Sequence, residues 1–236
     1  MKTTINEITN KIYRICVEVP ADQIPIPGGF TFNQYLVVDE QPLLMHTGPR
    51  PFFPMVKQAI ETVMPIERLR YIAFSHHEED ESGSLNSFLA EAPDAIPLCG
   101  QISAMVNGTG MDKPAKAMAD GETLSLGEKI VSWIDAPHMP HGWDCGLLYE
   151  KTTQTLFCSD LFTQPGTGME PLTETDILET SEAMRAGMEY FAHGPNTQKV
   201  LKKLIDIDPN IIACMHGSAW RGNGAKLLQE YAKILG

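Results

Sequence analysis

Apolar positions recur at every second residue in several short stretches and at every third or fourth in others, a pattern that predicts mixed strands and helices. Lys11–Val19 (KIYRICVEV) predicts a strand, rich in β-branched residues. A Pro- and Gly-rich loop, ADQIPIPGGF, follows it. FNQYLVVD and PLLMHTG then predict a hairpin about a turn at Glu40–Pro42. Pro49 and Pro51 suit the first turn of a helix over about Phe52–Met64, because that turn has no use for their missing N–H. Arg68–Ser75 (RLRYIAFS) predicts a buried strand that runs straight into the polar cluster HHEEDESG, and a short helix should start near Ser84.

The second half repeats this grammar. IPLCG predicts a strand, QISAMV a helix and NGTGMDKPAK a loop. Glu128–Ala136 predicts a strand ending at APHMPHGWDCG, and Leu147–Tyr149 with Thr155–Cys158 a hairpin that stops at Ser159–Asp160. Helices are expected over about Thr175–Phe191 and Thr197–Ile207. Ile211–Met215 predicts a strand ending at His216, and Ala225–Leu235 an amphipathic C-terminal helix. No repeat or linker divides the chain, so residues 1–236 are expected to form one α/β domain. Polar residues repeatedly follow strand ends, where a rigid scaffold presents binding and catalytic groups.

Composition narrows the classes. Hydrophobic residues make up 43% and charged residues 20%, which excludes an intrinsically disordered chain. Eighteen basic against thirty acidic residues give a net charge of −12, the wrong sign for nucleic acid or an anionic membrane. The cysteines stand singly at Cys16, Cys99, Cys145, Cys158 and Cys214, with no CxxC pair to signal a disulfide framework or a Cys-based metal site. MKTTINEITNKIY lacks the apolar core of a signal peptide, and no apolar run reaches the ~18 residues of a membrane span. A cytoplasmic location is expected.

The chemistry concentrates in His76-x-Glu78-x-Asp80-Glu81. Three donors spaced by two residues leave a strand and enter a tight turn, where they can converge on one point. His, Glu and Asp all ligate borderline or hard divalent metals. Alone, such a run reads equally well as a solvated charge cluster. Three further positions change the balance: His141 after the strand ending in APHMPH, Asp160 after TLFCS, and His216 after IIACM. Four separate strand ends that each present a histidine or a carboxylate point to a shared metal site.

This pattern resembles the metallo-β-lactamase superfamily, whose signature is HxHxDH followed by a distant His, Asp and His. Here Glu78 replaces the second His and Glu81 the last. HxExD resembles the flavodiiron proteins, which are oxygen and nitric oxide reductases, and the related stand-alone oxygen-binding di-iron proteins. HxExDE looks most like the stand-alone group. FNQYLVVDEQPLLMHTG is similar to the family's N-terminal hairpin, with His46 where an Asp is usual. The resemblance runs from about Phe32 to His216 and implies an α/β, metallo-β-lactamase-like αββα four-layer sandwich.

Carried over residue by residue, the resemblance implies His76, Glu78 and His141 as ligands of one metal. It implies Asp80 and His216 for the second, with Asp160 bridging the two. Glu81 either completes the second site or hydrogen-bonds to a ligand. His141 rather than His138 aligns with the family's loop histidine. Two iron ions are the implied cofactor, with zinc or manganese as alternatives. The four carboxylates balance two Fe(II), and such hard anionic donors favour iron or manganese over zinc. The small-molecule ligand would be dioxygen or nitric oxide.

Two ferrous ions can pass one electron each to O2, and complete reduction to water needs two more. Flavodiiron proteins draw these from an FMN-bearing flavodoxin domain. Only about twenty residues follow His216, with no rubredoxin-like CxxC, so no FMN is expected in this chain. A separate electron donor or a signalling partner is expected instead, and a homodimer would be common for the fold. The expected function is O2 binding, with slow reduction, as a sensor or scavenger. If enzymatic, the chain would be an oxygen or nitric oxide reductase-like oxidoreductase. The alternative is a two-metal hydrolase of an ester, lactone, thioester or phosphoester, and a third class is a metal-stabilised interaction module.

Other residues have both a functional and a structural reading. His77 alternates away from His76. His46 and His138 could line the pocket or be structural, and His193 is expected near a helix end at the surface. Trp143, Trp220, Phe32 and Tyr35 could wall an open metal position, although large aromatics are more often plain core. Cys158 and Cys214 each precede a candidate ligand by two residues and read as buried, inert thiols.

Overall fold

A computed structural model describes residues 1–235. In chain order its first half contains β1 (Lys2–Thr9), β2 (Ile12–Val19), β3 (Phe30–Val37), β4 (Leu43–Met45), α1 (Phe53–Glu61), β5 (Tyr71–Ala73), α2 (Glu79–Ser82), α3 (Leu85–Glu91), β6 (Ile96–Gly100), α4 (Gln101–Asn107) and β7 (Lys116–Met118). The second half contains β8 (Thr123–Ser125), β9 (Ile130–Asp135), β10 (Gly146–Glu150), β11 (Thr155–Ser159), β12 (Leu172–Thr173), α5 (Leu178–Met188), α6 (Thr197–Asp206), β13 (Ile211–Cys214), β14 (Ala219–Arg221) and α7 (Gly224–Ile234).

The strands form two sheets. The first runs β1-β2-β3-β4-β5-β6-β7 and the second β12-β14-β13-β11-β10-β9-β8. In the first, β1 to β4 pair antiparallel and β4 to β7 parallel. In the second, β11 and β13 are parallel neighbours while β11, β10, β9 and β8 pair antiparallel.

Period-two alternation explains the layering, because successive side chains of a strand point to opposite faces. Ile12 of β2 and Tyr35 and Val37 of β3 meet Trp133, Leu148, Phe157 and Ala213 between the sheets. Their neighbours Ile15, Val17 and Leu36 face outward onto Val56 and Ile60 of α1 and Phe88 of α3. On the far side, Leu147, Leu156 and Ile212 pack against Leu201 and Leu204 of α6 and Leu228 of α7. The result is helix, sheet, sheet, helix: the expected αββα sandwich. Each fully buried aliphatic side chain contributes about 1.5–3 kcal/mol of transfer free energy. Trp133 fills the inter-sheet space only because Gly146 on β10 lacks a Cβ, which would collide with the indole.

Several predicted boundaries shift. The strand expected over Arg68–Ser75 is regular only over Tyr71–Ala73, because Ile66–Arg68 forms a 3-10 turn before it. The helix expected over Thr175–Phe191 spans Leu178–Met188 and ends where Glu189 turns left-handed at φ 50°. The predicted loop NGTGMDKPAK includes a 3-10 turn over Gly108–Gly110, and its final Lys116 opens β7. Strands β1, β8, β12 and β14 were not expected. No helix among the described residues is long and apolar enough to cross a membrane.

Candidate metal centre

The strand ends deliver the candidate donors to one rim of the sandwich. His76 lies just past the end of β5, and the chain turns there into α2, whose first turn carries Asp80 and Glu81. His141 sits in the β9–β10 connection, with Gly142 at φ 73° packed against His76. Asp160 directly follows β11, and His216 lies just beyond β13. Two loops brace the rim: Gly146 N donates to Ser75 O at 2.9 Å and Thr47 N to Glu81 O at 2.9 Å.

The donor atoms fall into two groups that share Asp160. In the first, His141 Nε2 is 3.1 Å from Glu78 Oε1, and His76 Nε2 is 3.8 Å from the same oxygen. Asp160 Oδ2 lies 3.5 Å from His76 Nε2 and 3.6 Å from His141 Nε2. In the second, His216 Nε2 is 3.3 Å from both Asp80 Oδ2 and Asp160 Oδ1. Glu81 Oε2 lies 3.8 Å from His76 Nε2. Each oxygen of Asp160 therefore faces a different group.

The backbone and neighbouring side chains aim the histidines. His216 Nδ1 donates to Thr31 O at 2.7 Å, so the neutral ring keeps its Nε2 lone pair for the pocket. The same turn is gripped from the opposite sheet. Gly217 N donates to Thr31 Oγ1 at 2.7 Å, while Asn33 Nδ2 and Arg14 Nη2 donate to Gly217 O at 2.8 and 2.7 Å. Tyr35 OH holds Cys214 O at 2.7 Å. Phe30 stacks on the His216 ring at 4.2 Å between centroids and Phe32 meets it edge-on at 5.3 Å. Tyr190 OH donates to Asp160 O at 3.1 Å, and its ring stands 6.0 Å from that of His141.

The protonation pattern is that of a site built for cations. Burial alone would lower the His216 pKa, yet the facing carboxylates of Asp160 and Asp80 lift it to about 10. Burial likewise opposes charge on Asp160, but His216, His76 and His141 hold its carboxyl below the usual range. Glu81 has no such help: burial and the nearby Asp160 and Asp80 carboxylates push it well above the usual range.

The residues fit a pair of metal ions. His76 Nε2, both oxygens of Glu81 and Asp160 Oδ1 are buried with no hydrogen-bond partner, a cost of about 1–3 kcal/mol or more for each such group. Metal–ligand bonds of about 2.1 Å place adjacent donors about 3.0–3.4 Å apart, close to the separations found. His76 with Glu78 and His141, and His76 with Glu81 and Asp160, are each clustered tightly enough to share one ion. The cluster is compatible with a non-haem di-iron site.

Several residues fall outside the cluster. His138 is exposed at φ 64° beside Gly194, so His141 is the loop histidine that reaches the site. His77 is exposed, with Nδ1 on Ser82 Oγ at 3.1 Å. His193 lies at the surface after α5. Of the candidate wall residues, Phe32 meets His216 while Tyr35 belongs to the inter-sheet core. Trp220 joins the outer helical core and Trp143 is exposed. Burial pushes the Cys158 thiol well above its usual range, as an inert thiol requires. Phe30, Thr31, Ser75, Ser159 and Tyr190 were not singled out from the sequence, although Ser75 and Ser159 immediately precede two candidate ligands.

Comparison with known proteins identifies the family. A model described as ODP family beta lactamase matches residues 30–217. The chain belongs to this family. It is 27% identical over 218 residues to a nitric oxide reductase of Moorella thermoacetica, covering 87% of this chain and 53% of that protein. It is 29% identical over 206 residues to a rubredoxin-oxygen oxidoreductase of Megalodesulfovibrio gigas, covering 83% and 50%. The chain thus spans about half the length of these curated relatives. A solved flavo di-iron protein variant from Thermotoga maritima superposes with a TM-score of 0.86 at 20% identity, over 99% of this chain and 61% of that one. The metallo-β-lactamase-like fold expected from the motifs is thereby established.

Proposed function

We propose that this chain is a non-haem di-iron protein that binds dioxygen and reduces it completely to water only with two further electrons from a redox donor. One observation carries the reading: Asp160 turns Oδ2 toward His76 and His141 and Oδ1 toward His216, as a carboxylate bridging two ions would. In this reading His76, Glu78 and His141 hold one ion, Asp80 and His216 the other, and Glu81 is a further donor. Four carboxylates against three imidazoles offset the charge of two divalent ions and suit hard, oxidisable iron better than zinc.

Two irons held there would supply one electron each to a small oxidant. The protein's own groups orient and shield. Thr31 and Ser75 fix the His216 and His76 rings through Nδ1, while Phe30 and Phe32 exclude water from the His216 side. The Glu78 side chain, 51% exposed, and the partly exposed His141 mark the open edge through which a gas enters. The relatives' names, nitric oxide reductase and rubredoxin-oxygen oxidoreductase, support a redox role and suggest a small redox protein as donor. In this reading residues 1–236 make up one metallo-β-lactamase-like domain.

The test is oxygen uptake by iron-loaded protein prepared without air. The expected result is about one O2 per pair of irons without added donor, accompanied by a lasting visible absorption band. No uptake, together with rapid hydrolysis of a thioester, lactone or phosphoester by zinc-loaded protein, would instead establish the hydrolase.

A further inference from the structure

His46 is fully buried beside the centre but contributes no donor to it. Its Nε2 lies 3.1 Å from Ser75 Oγ. That hydroxyl is 2.9 Å from His76 Nδ1 and 2.8 Å from Ser159 Oγ. One hydroxyl thus joins a buried imidazole, a proposed ligand, and the residue preceding the proposed bridge Asp160. Among the described residues no carboxylate lies within ion-pair distance of His46, unlike His76, His141 and His216. His46 holds a left-handed backbone at φ 65°, with its N–H donating to Ala73 O at 2.7 Å. Such a conformation costs free energy in any non-glycine residue and persists where the surroundings impose it.

The protons can be counted. A serine hydroxyl offers one proton and two lone pairs. With Nε2 of His76 directed at a metal, the ring's one proton sits on Nδ1 and is donated to Ser75 Oγ. Ser75 is left with one proton and one lone pair for His46 Nε2 and Ser159 Oγ, and each of those can play either part. The count closes at Ser75 without an additional charge, while the buried His46 Nδ1 has no hydrogen-bond partner.

We infer that His46 is a positioning residue for the first metal: acting through Ser75, it holds His76 with Nδ1 protonated and Nε2 turned inward. The inference rests on the di-metal reading above.

The experiment is a titration of apoprotein with Co(II), and separately with Zn(II), against a competing chelator, with the Co(II) visible spectrum recorded. Ser75→Ala removes the relay, His46→Leu removes its buried end, and His46→Gln keeps a neutral hydrogen-bonding group. Apoprotein melting shows whether each variant is folded. Ser75→Ala and His46→Leu should each weaken one of two metals by about 10–100-fold and alter its Co(II) spectrum, the usual effect of losing a ligand's outer partner. His46→Gln should stay within about threefold of wild type. Wild-type affinities in Ser75→Ala and His46→Leu, or a His46→Gln as weak as His46→Leu, would overturn the inference. A wild-type protein that binds fewer than two metals would overturn the di-metal reading instead.

Discussion

Glu81→Gln separates a ligand from a structural acid, because the two roles predict opposite effects on the metal-free protein. Glu81 is 1% exposed, and neither of its oxygens has a hydrogen-bond partner. Its pKa stands well above the ordinary 4.5 through burial and the Asp160 and Asp80 carboxylates. A raised carboxyl pKa contributes stability that is complete below the unfolded value and is lost as pH rises through the folded one. In that window the loss approaches about 1.4 kcal/mol per pH unit for one proton. A neutral amide ends the repulsion and can donate to Asp80. The amide has no proton to take up, so it escapes that pH-linked loss, about 1 kcal/mol or more by pH 7.5. At about 2–4 °C per kcal/mol for a chain of this size, the Gln apoprotein should melt at least about 2 °C higher at pH 7.5 and close to wild type at pH 5. Adding iron or zinc should reverse the order, since wild type gains a donor that the variant lacks. The assay is thermal melting of chelator-treated and metal-loaded protein at both pH values. A Gln apoprotein less stable than wild type at pH 7.5, or a difference independent of pH, would refute the reasoning.

Other perturbations probe the same centre. Asp160→Ala should lose at least one metal, and an unchanged two-metal stoichiometry by elemental analysis would remove Asp160 from the bridge. Glu78→His should shift loading toward zinc and suppress O2 uptake; retained iron and wild-type uptake would contradict the argument from ligand hardness. The His216 pKa, raised from 6.5 to about 10, makes its stabilising contribution to the apoprotein complete below about pH 6.5 and lost as pH rises through about 10. Metal binding requires the same nitrogen deprotonated, so apoprotein stability should fall between pH 6.5 and 9 while metal-loaded stability rises. Parallel melting curves over that range would exclude His216 as a ligand.

Much of this architecture was legible because the strands that carry it are short apolar runs bounded by turn and polar residues. β2, β3, β10, β11 and β13 are buried on both faces in the sandwich, almost without interruption. β1 (KTTINEIT) is an edge strand with one buried residue, so it has no apolar face to betray it. β7, β8, β12 and β14 span two or three residues, too few for a period to emerge. The candidate ligands stood out because ionisable groups directly beyond apolar runs have few structural explanations. Their supports did not. Thr31 reaches His216 across 185 residues only once the sheets are stacked, and His46 reaches Ser75 across 29 only once β4 pairs with β5. Glu81 remained open between ligand and hydrogen-bond partner, since only burial reveals that no donor faces it.

The most direct test is elemental analysis of protein purified without oxygen and without added metal. About two irons per chain is the expected result. Two zincs and no iron, from cells supplied with iron, would contradict the di-iron account and leave the hydrolase.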